Sequence, residues 1–353
     1  MYLVFALCGL ELVYRFQIVD CYAPELNSYN GPFESADQTD ERTILVQGDS
    51  FTAGRDDYPA KMQEALVDYR VVNSAVGGTG VVEARIIAPG RFKTFKPDIF
   101  IYQIYVGNDL TNISYPTNWD TLSFSRNVYW SIAEVFRSIS FLNYRLGQLF
   151  RSGQSTENVR PDVQISGRTT NGYKGKLDTV FSPERYSVRD LMYIKASPSL
   201  IEDAALVRGD RQTAYAKLLN ELDKLIRFCD PEECRAAILL VPHKAQVTAA
   251  YADQMEQLGM TFLDREAMQS KDYPFAKGIR ELIEEQKLDH VTVLDSIGVL
   301  RESEENGRHV YYQNDSHLNQ VGSGILAEFL ISELNLHDRL DEVAENSSFK
   351  LSR

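Results

Sequence analysis

Apolar residues fall into two rhythms along this chain. Continuous apolar, β-branched runs appear at residues 43–50 (TILVQGDS), 70–76 (RVVNSAV), 98–106 (DIFIYQIYV), 236–243 (AAILLVPH) and 291–296 (VTVLDS). Runs this short, each bounded by turn-forming residues, predict strands buried on both faces, as in a parallel sheet. Between them the apolar positions recur every three or four residues. Tyr58, Met62, Ala65, Leu66 and Tyr69 share one helical face, just after an acidic start (Asp56-Asp57) with Pro59 in the first turn. Helices are predicted over 212–227 and 275–286, and a last one follows His317, with Ile325, Leu326, Phe329 and Leu330 on its apolar face. Strands alternating with helices predict an α/β fold: a doubly wound parallel sheet of about five strands in a flavodoxin-like, three-layer α/β/α arrangement.

The pattern loosens between residues 110 and 206, which reads as a long insertion after the third strand. It opens with an aromatic-rich helical stretch (128–150), followed by a polar, glycine-containing region. So long an excursion is usually functional or a small subdomain. Residues 27–41 (NSYNGPFESADQTDE) are polar and turn-forming and read as a linker into a domain spanning 42–336; residues 337–353 form a polar tail.

The N-terminal end, 1–26, opens with an unbroken apolar run of ten residues (MYLVFALCGL), then Glu11 and Arg15. Ten residues are too few to span a bilayer, which takes about twenty, and no basic n-region or cleavage site marks a signal peptide. Two readings stand: the remnant of a membrane anchor, or an amphipathic helix packed on the body.

Composition narrows the function classes. A formal charge of −13, with no basic stripe, argues against nucleic acid as a partner. Cys8, Cys21, Cys229 and Cys234 are too scattered for a disulfide scaffold or a zinc finger. Cys229 and Cys234 lie close enough to pair in an oxidising compartment; equally, they are two unrelated thiols.

Candidate chemistry gathers where strands end. Gly48-Asp49-Ser50 follows the first strand, Asn73 to Gly78 (NSAVGG) the second, and Gly107-Asn108-Asp109 the third; Asp315-Ser316-His317 stands just before the last helix. In open parallel sheets, sites form at the carboxyl ends of strands. Each segment alone is an ordinary turn. Together, in this order, they resemble the SGNH (GDSL-like) hydrolase superfamily over essentially all of residues 43–334 outside the insertion. Ser50, Gly78, Asn108 and His317 match its four blocks. The similarity is greatest to bacterial membrane-anchored members linked to polysaccharide O-acetylation.

The residue types suit that chemistry on their own terms. A serine hydroxyl needs a base within hydrogen-bond reach, and imidazole titrates near neutrality. The charge that develops on an attacked ester carbonyl needs preorganised donors, here the Ser50 and Gly78 N–H groups and the Asn108 amide. The family pattern places aspartate three residues before the histidine, where this chain has Asn314. Some polysaccharide-modifying relatives use the shorter Asp-x-His spacing, so the resemblance assigns Asp315, two residues before, to orient His317, with Asp295 as the alternative and helix capping as a competing role for Asp315.

His243 and Lys244, after the fourth strand, are candidates for the substrate-binding rim; a buried histidine and a solvated lysine are the plainer alternative. His309 reads as a surface residue, and His290 and His337 carry no assigned role. Asp49 and Asp109 read as braces for their loops. Tyr129, Trp130, Phe136, Phe141 and Tyr144 read as a packed helix face or as a sugar platform. No third ligand accompanies Asp315 and His317, so neither metal nor cofactor is expected.

The resemblance implies an extracytoplasmic, periplasmic or cell-surface esterase or O-acyltransferase. It would act on ester-linked acyl groups, acetyl foremost, of a carbohydrate, with membrane association through the N-terminus. A non-catalytic carbohydrate-binding or assembly protein on the same fold, and a lipase or thioesterase, are the competing readings.

Overall fold

The computed structural model describes residues 2–31, 42–152 and 180–336. Five strands form one parallel sheet: β1 (Arg42–Gln47), β2 (Tyr69–Asn73), β3 (Ile99–Tyr105), β4 (Arg235–Val241) and β5 (Val291–Asp295), in the order β2-β1-β3-β4-β5. All pairs are parallel. This is the predicted doubly wound arrangement. The chain reverses direction across the sheet between β1 and β3, which opens a crevice at their carboxyl ends.

Because successive strand residues face opposite ways, each strand feeds two cores. Leu45, Val72, Phe100, Tyr102, Ile238 and Leu240 pack on one side against the helix Arg211–Ile226 through Leu218, Leu222 and Leu225. Ile44, Val46, Val71, Ile101 and Leu239 pack on the other against Met62, Leu326 and Leu330.

The predicted helices are found at Tyr58–Ala65, Arg211–Ile226, Pro274–Glu285 and Gln320–Glu333. One more, Val81–Phe95, connects β2 to β3 and was not legible in the pattern, because Pro89 and Gly90 interrupt it. Both are exposed, so the break in backbone bonding falls on the solvent side.

The insertion departs from the expected single helix over 128–150. Two helices cover that stretch, Phe124–Val135 and Arg137–Ser152, parted at Phe136, whose backbone is extended. The cause is a residue far away in sequence: the Glu11 carboxylate accepts from the Arg137 and Ser138 N–H groups (3.2 and 2.9 Å) and caps the second helix.

Glu11 belongs to the N-terminal helix Tyr2–Arg15. Its carboxyl-terminal half packs on the body, where Tyr14 and Tyr22 meet Phe141 and share a 2.8 Å hydrogen bond. Phe5, Leu12, Phe16, Ile18 and Val19 remain exposed. Among the described residues, no helix is long and apolar enough to cross a membrane.

Residues 27–41 are predicted to form a linker, but its first residues are helical. Residues 27–30 belong to the helix Ala23–Asn30, because Asn30 exchanges hydrogen bonds with the Asn73 backbone at the end of β2 (2.7 and 2.8 Å). The rest of that stretch from 32 onward, and the tail from 337, lie outside the described residues. Cys229 and Cys234 form a disulfide at the amino-terminal end of β4.

Candidate active site

Ser50 follows β1 by three residues, in a turn built around its neighbour. Asp49 Oδ1 accepts from Phe51 N (2.9 Å), and the Asp49 carbonyl accepts from Thr52 and Ala53 N (3.2 and 3.0 Å). Asp49 N donates to Gln103 Oε1 on β3. Gly48 permits this close passage: a Cβ there would stand 2.5 Å from Gln103 Oε1 and 2.6 Å from Thr52 Oγ1.

The other segments interlock with that turn. Asn73 Nδ2 donates to the Thr52 and Gly54 carbonyls (2.7 and 3.2 Å). Val76 N donates to Gly48 O (3.1 Å), and Asn112 Nδ2 to Thr79 O (2.9 Å). Gly78 has φ +78°, a conformation that L side chains avoid. Asn108 heads the short helix Asp109–Ile113; its Oδ1 is buried without a hydrogen-bond partner among the described residues.

His317 arrives on a tight loop before the helix Gln320–Glu333. Tyr311 and Leu318 form an antiparallel bridge, and Asn319 caps the helix by accepting from Val321 and Gly322 N (2.8 and 3.1 Å). The imidazole is flanked by Phe51, stacked at 4.6 Å.

His317 Nε2 lies 2.7 Å from Ser50 Oγ. On the opposite edge of the ring, Nδ1 bonds to Asp315 Oδ1, which also accepts from His317 N at 2.8 Å. The sequence separation between Ser50 and His317 is 267 residues, so this line of three polar groups exists only in the folded chain. No family model matches the chain, and no curated protein matches it.

Solved structures do superpose on it. A catalytic mutant of Axe2, an acetylxylan esterase from Geobacillus stearothermophilus, aligns at 11% identity over 83% of this chain and 93% of that one, with a TM-score of 0.41. LAE5, an alpha/beta hydrolase from the Lake Arreo metagenome in Spain, aligns at 12% identity over 86% of this chain and 100% of that one, with a TM-score of 0.39. At such values the site must be read from its own geometry.

Burial works to lower the pKa of His317. The Asp315 charge and hydrogen bond outweigh it, Asp49 and Asp190 add to them, and the imidazole is raised to about 9. Asp315 moves the other way: burial raises it, but His317 more than compensates and the carboxyl ends below its ordinary range. Asp49 and Asp109 lie buried behind the site. Burial raises both, and for Asp109 the neighbouring Asp49 raises it further. Their braces are visible: Asp109 Oδ2 accepts from Tyr105 N at 2.7 Å.

Asn314 has a different task. Its Oδ1 accepts from Ser182 N (2.6 Å) and its Nδ2 donates to Val180 O (3.0 Å), joining the returning insertion to the histidine loop. Asp295, the alternative partner for His317, instead pairs with Arg280 (3.4 Å) and accepts from Ile297 N.

His243 and Lys244 do not line a rim. His243 is 2% exposed; burial and the Lys244 charge lower it to about 3, so it stays neutral, with Nδ1 accepting from Ala245 N. Lys244 is fully buried. Its Nζ donates to the carbonyls of Tyr312, Gln313 and Asp315 (2.9, 3.1 and 3.3 Å) and to Tyr186 Oη (2.9 Å). A buried ammonium is tolerated only with such a full set of acceptors. Nothing in the local sequence marks it, since its acceptors lie 58 to 71 residues away.

Of the remaining candidates, His309 is exposed beside Glu304 (2.9 Å), and His337 lies outside the described residues. The aromatic run is mostly packed: Trp130 is buried, and Phe141 meets Tyr14 and Tyr22.

Proposed function

We propose that this chain is a serine esterase or O-acyltransferase acting on acyl esters, acetyl foremost, of a carbohydrate. One observation carries the reading: Ser50 Oγ, the His317 ring and the Asp315 carboxylate stand in hydrogen-bonded sequence, with 2.7 Å between Oγ and Nε2. This is the order of roles that nucleophilic acyl transfer needs.

With Nδ1–H held by Asp315, the deprotonated imidazole has Nε2 free to take the Ser50 proton. Oγ then bonds to the acyl carbon, and the carbonyl oxygen becomes an oxyanion. Ser50 N–H, Gly78 N–H and the Asn108 amide are proposed to receive that charge. Collapse breaks the bond from acyl carbon to alcohol oxygen, and the imidazolium returns its proton to the leaving alcohol. Water or a sugar hydroxyl then repeats the sequence on acyl-Ser50, releasing either acid or a new ester. Asp315 stays an anion throughout, as its lowered pKa favours.

The location belongs to the same reading. The Cys229–Cys234 disulfide fits an oxidising, extracytoplasmic compartment. The exposed apolar face formed by Phe5, Leu12, Phe16, Ile18 and Val19 fits attachment to a lipid surface.

The test is release of p-nitrophenol from p-nitrophenyl acetate by the full chain, beside Ser50→Ala and His317→Ala. Turnover by wild type, with background rates in both folded variants, supports the acyl-serine route. Acetylated oligosaccharide products would then distinguish transfer from hydrolysis. An inactive wild type with no acyl-Ser50 adduct by mass spectrometry favours a carbohydrate-binding protein on the same fold.

A further inference from the structure

We propose that Arg189 is an anion receptor beside the reacting centre, and that the ester accepted there carries a carboxylate close to its scissile bond. This deepens the acyl-serine reading and rests on it.

Arg189 lies on the helix Val188–Ala196, where the insertion returns to the sheet. Its guanidinium reaches over the Gly78 turn: Nη1 is the nearest atom to where a Cβ on Gly78 would stand, 3.9 Å away. That turn carries the N–H assigned to the oxyanion. A group bound by Arg189 is therefore a few ångströms from the acyl carbonyl.

Arg189 is an exposed residue; the Tyr193 ring holds its guanidinium, and the Asp190 carboxylate acts on it electrostatically without forming an ion pair. The guanidinium sits 5.7 Å above Tyr193, with Nη2 3.5 Å from the Tyr193 hydroxyl. Tyr193 stacks on Trp130 (5.3 Å, 8°), and Trp130 stacks on Tyr115 (5.6 Å, 14°). Trp130 is 2% exposed, so the column is anchored in the interior. Among the described residues Arg189 forms no ion pair.

Three other buried or half-buried arginines are engaged elsewhere. Arg137 donates to the Asn112 and Ile113 carbonyls, Arg145 pairs with Glu25, and Arg91 pairs with Asp20. The wider field is unfavourable to anions, since the chain carries −13 and Asp49, Asp190 and Asp315 all act on His317. The net negative charge works against an anionic substrate, and Arg189 offers it a cation beside the Gly78 turn. The planar fork of donors suits a carboxylate and is already oriented by the ring beneath it.

The test compares phenyl acetate (neutral), 4-acetoxybenzoate (carboxylate on the alcohol side) and monophenyl succinate (carboxylate on the acyl side). Binding to folded Ser50→Ala protein is measured by calorimetry, so that turnover is not required. One anionic ester should bind about ten- to a hundredfold more tightly than phenyl acetate, and which one does identifies the side that Arg189 reads. Adding Arg189→Gln should erase the preference, while Arg189→Lys should keep part of it. Equal binding of all three esters, or a preference that survives Arg189→Gln, would overturn the inference. A charge preference without any wild-type hydrolysis or acyl-Ser50 adduct would instead count against the catalytic reading alone.

Discussion

Lys244 Nζ donates to the backbone carbonyl of Asp315 at 3.3 Å, from beneath the loop that carries His317. The same ammonium holds the carbonyls of Tyr312 and Gln313, so one buried cation sets the height of the whole 312–317 turn. Lys244→Met would strip these acceptors of their donor. A loss on the order of 2–3 kcal/mol in urea unfolding is expected, with turnover falling as His317 loses its position. Unchanged stability and rate would show that the loop is held by other contacts.

Asp315→Asn keeps the shape but removes the charge and the correct acceptor. Turnover of p-nitrophenyl acetate should fall by roughly three to four orders of magnitude. The pKa of His317, followed by imidazole NMR, should drop from about 9 toward the ordinary range, because Asp315 is the main charge raising it. A variant with full activity would return Asp315 to the role of a simple cap.

The pH profile follows from the same pair. In its proposed role as base, His317 must be deprotonated to accept from Ser50, so kcat/KM should rise with pH through about 9. Stability runs the opposite way. His317 has a folded pKa above its unfolded value of 6.5, so its contribution is complete below 6.5 and is lost as pH climbs through about 9. Asp315, lowered from 3.8, contributes above that value and loses its contribution as pH falls through its folded pKa. A rate profile that is flat from pH 6 to 9 would contradict this assignment.

Asn108→Ala tests the third proposed oxyanion donor. A drop of about a hundred- to a thousandfold in kcat, with KM little changed, is expected from loss of one preorganised donor. A rise in KM at constant kcat would assign Asn108 to ground-state binding.

The disulfide lies at the amino-terminal end of β4, across the sheet from the site. Cys229→Ser with Cys234→Ser should cost about 2 kcal/mol through the freed loop, and leave the acetate-ester rate as it was. A fall in rate would reveal coupling along β4 that the packing does not suggest.

The strands and their carboxyl-terminal turns were readable because each is a local pattern: an apolar run followed by Gly48-Asp49-Ser50, or by Gly107-Asn108-Asp109. The pairing of Asp315 with His317 was readable for the same reason, being two residues apart. What escaped were effects that only folding brings together. Glu11 splits a helix that is continuous in hydrophobic pattern, and the acceptors that make Lys244 a buried residue come from 58 to 71 positions later or earlier. Pro89 and Gly90 hid a helix because pattern cannot say which face meets solvent. Arg189 had no signal at all; its meaning comes from the turn at Gly78 that it overhangs.

Asn314 gives the insertion a second meaning. Its two hydrogen bonds to Val180 and Ser182 fasten the insertion's return to the residue next to Asp315, and Tyr186 from the same return receives Lys244. The segment is thus a keystone as well as an ornament. Anyone trimming or swapping it would also be re-seating His317, and a workable graft would have to keep residues 180–186 as part of the frame that holds the histidine loop.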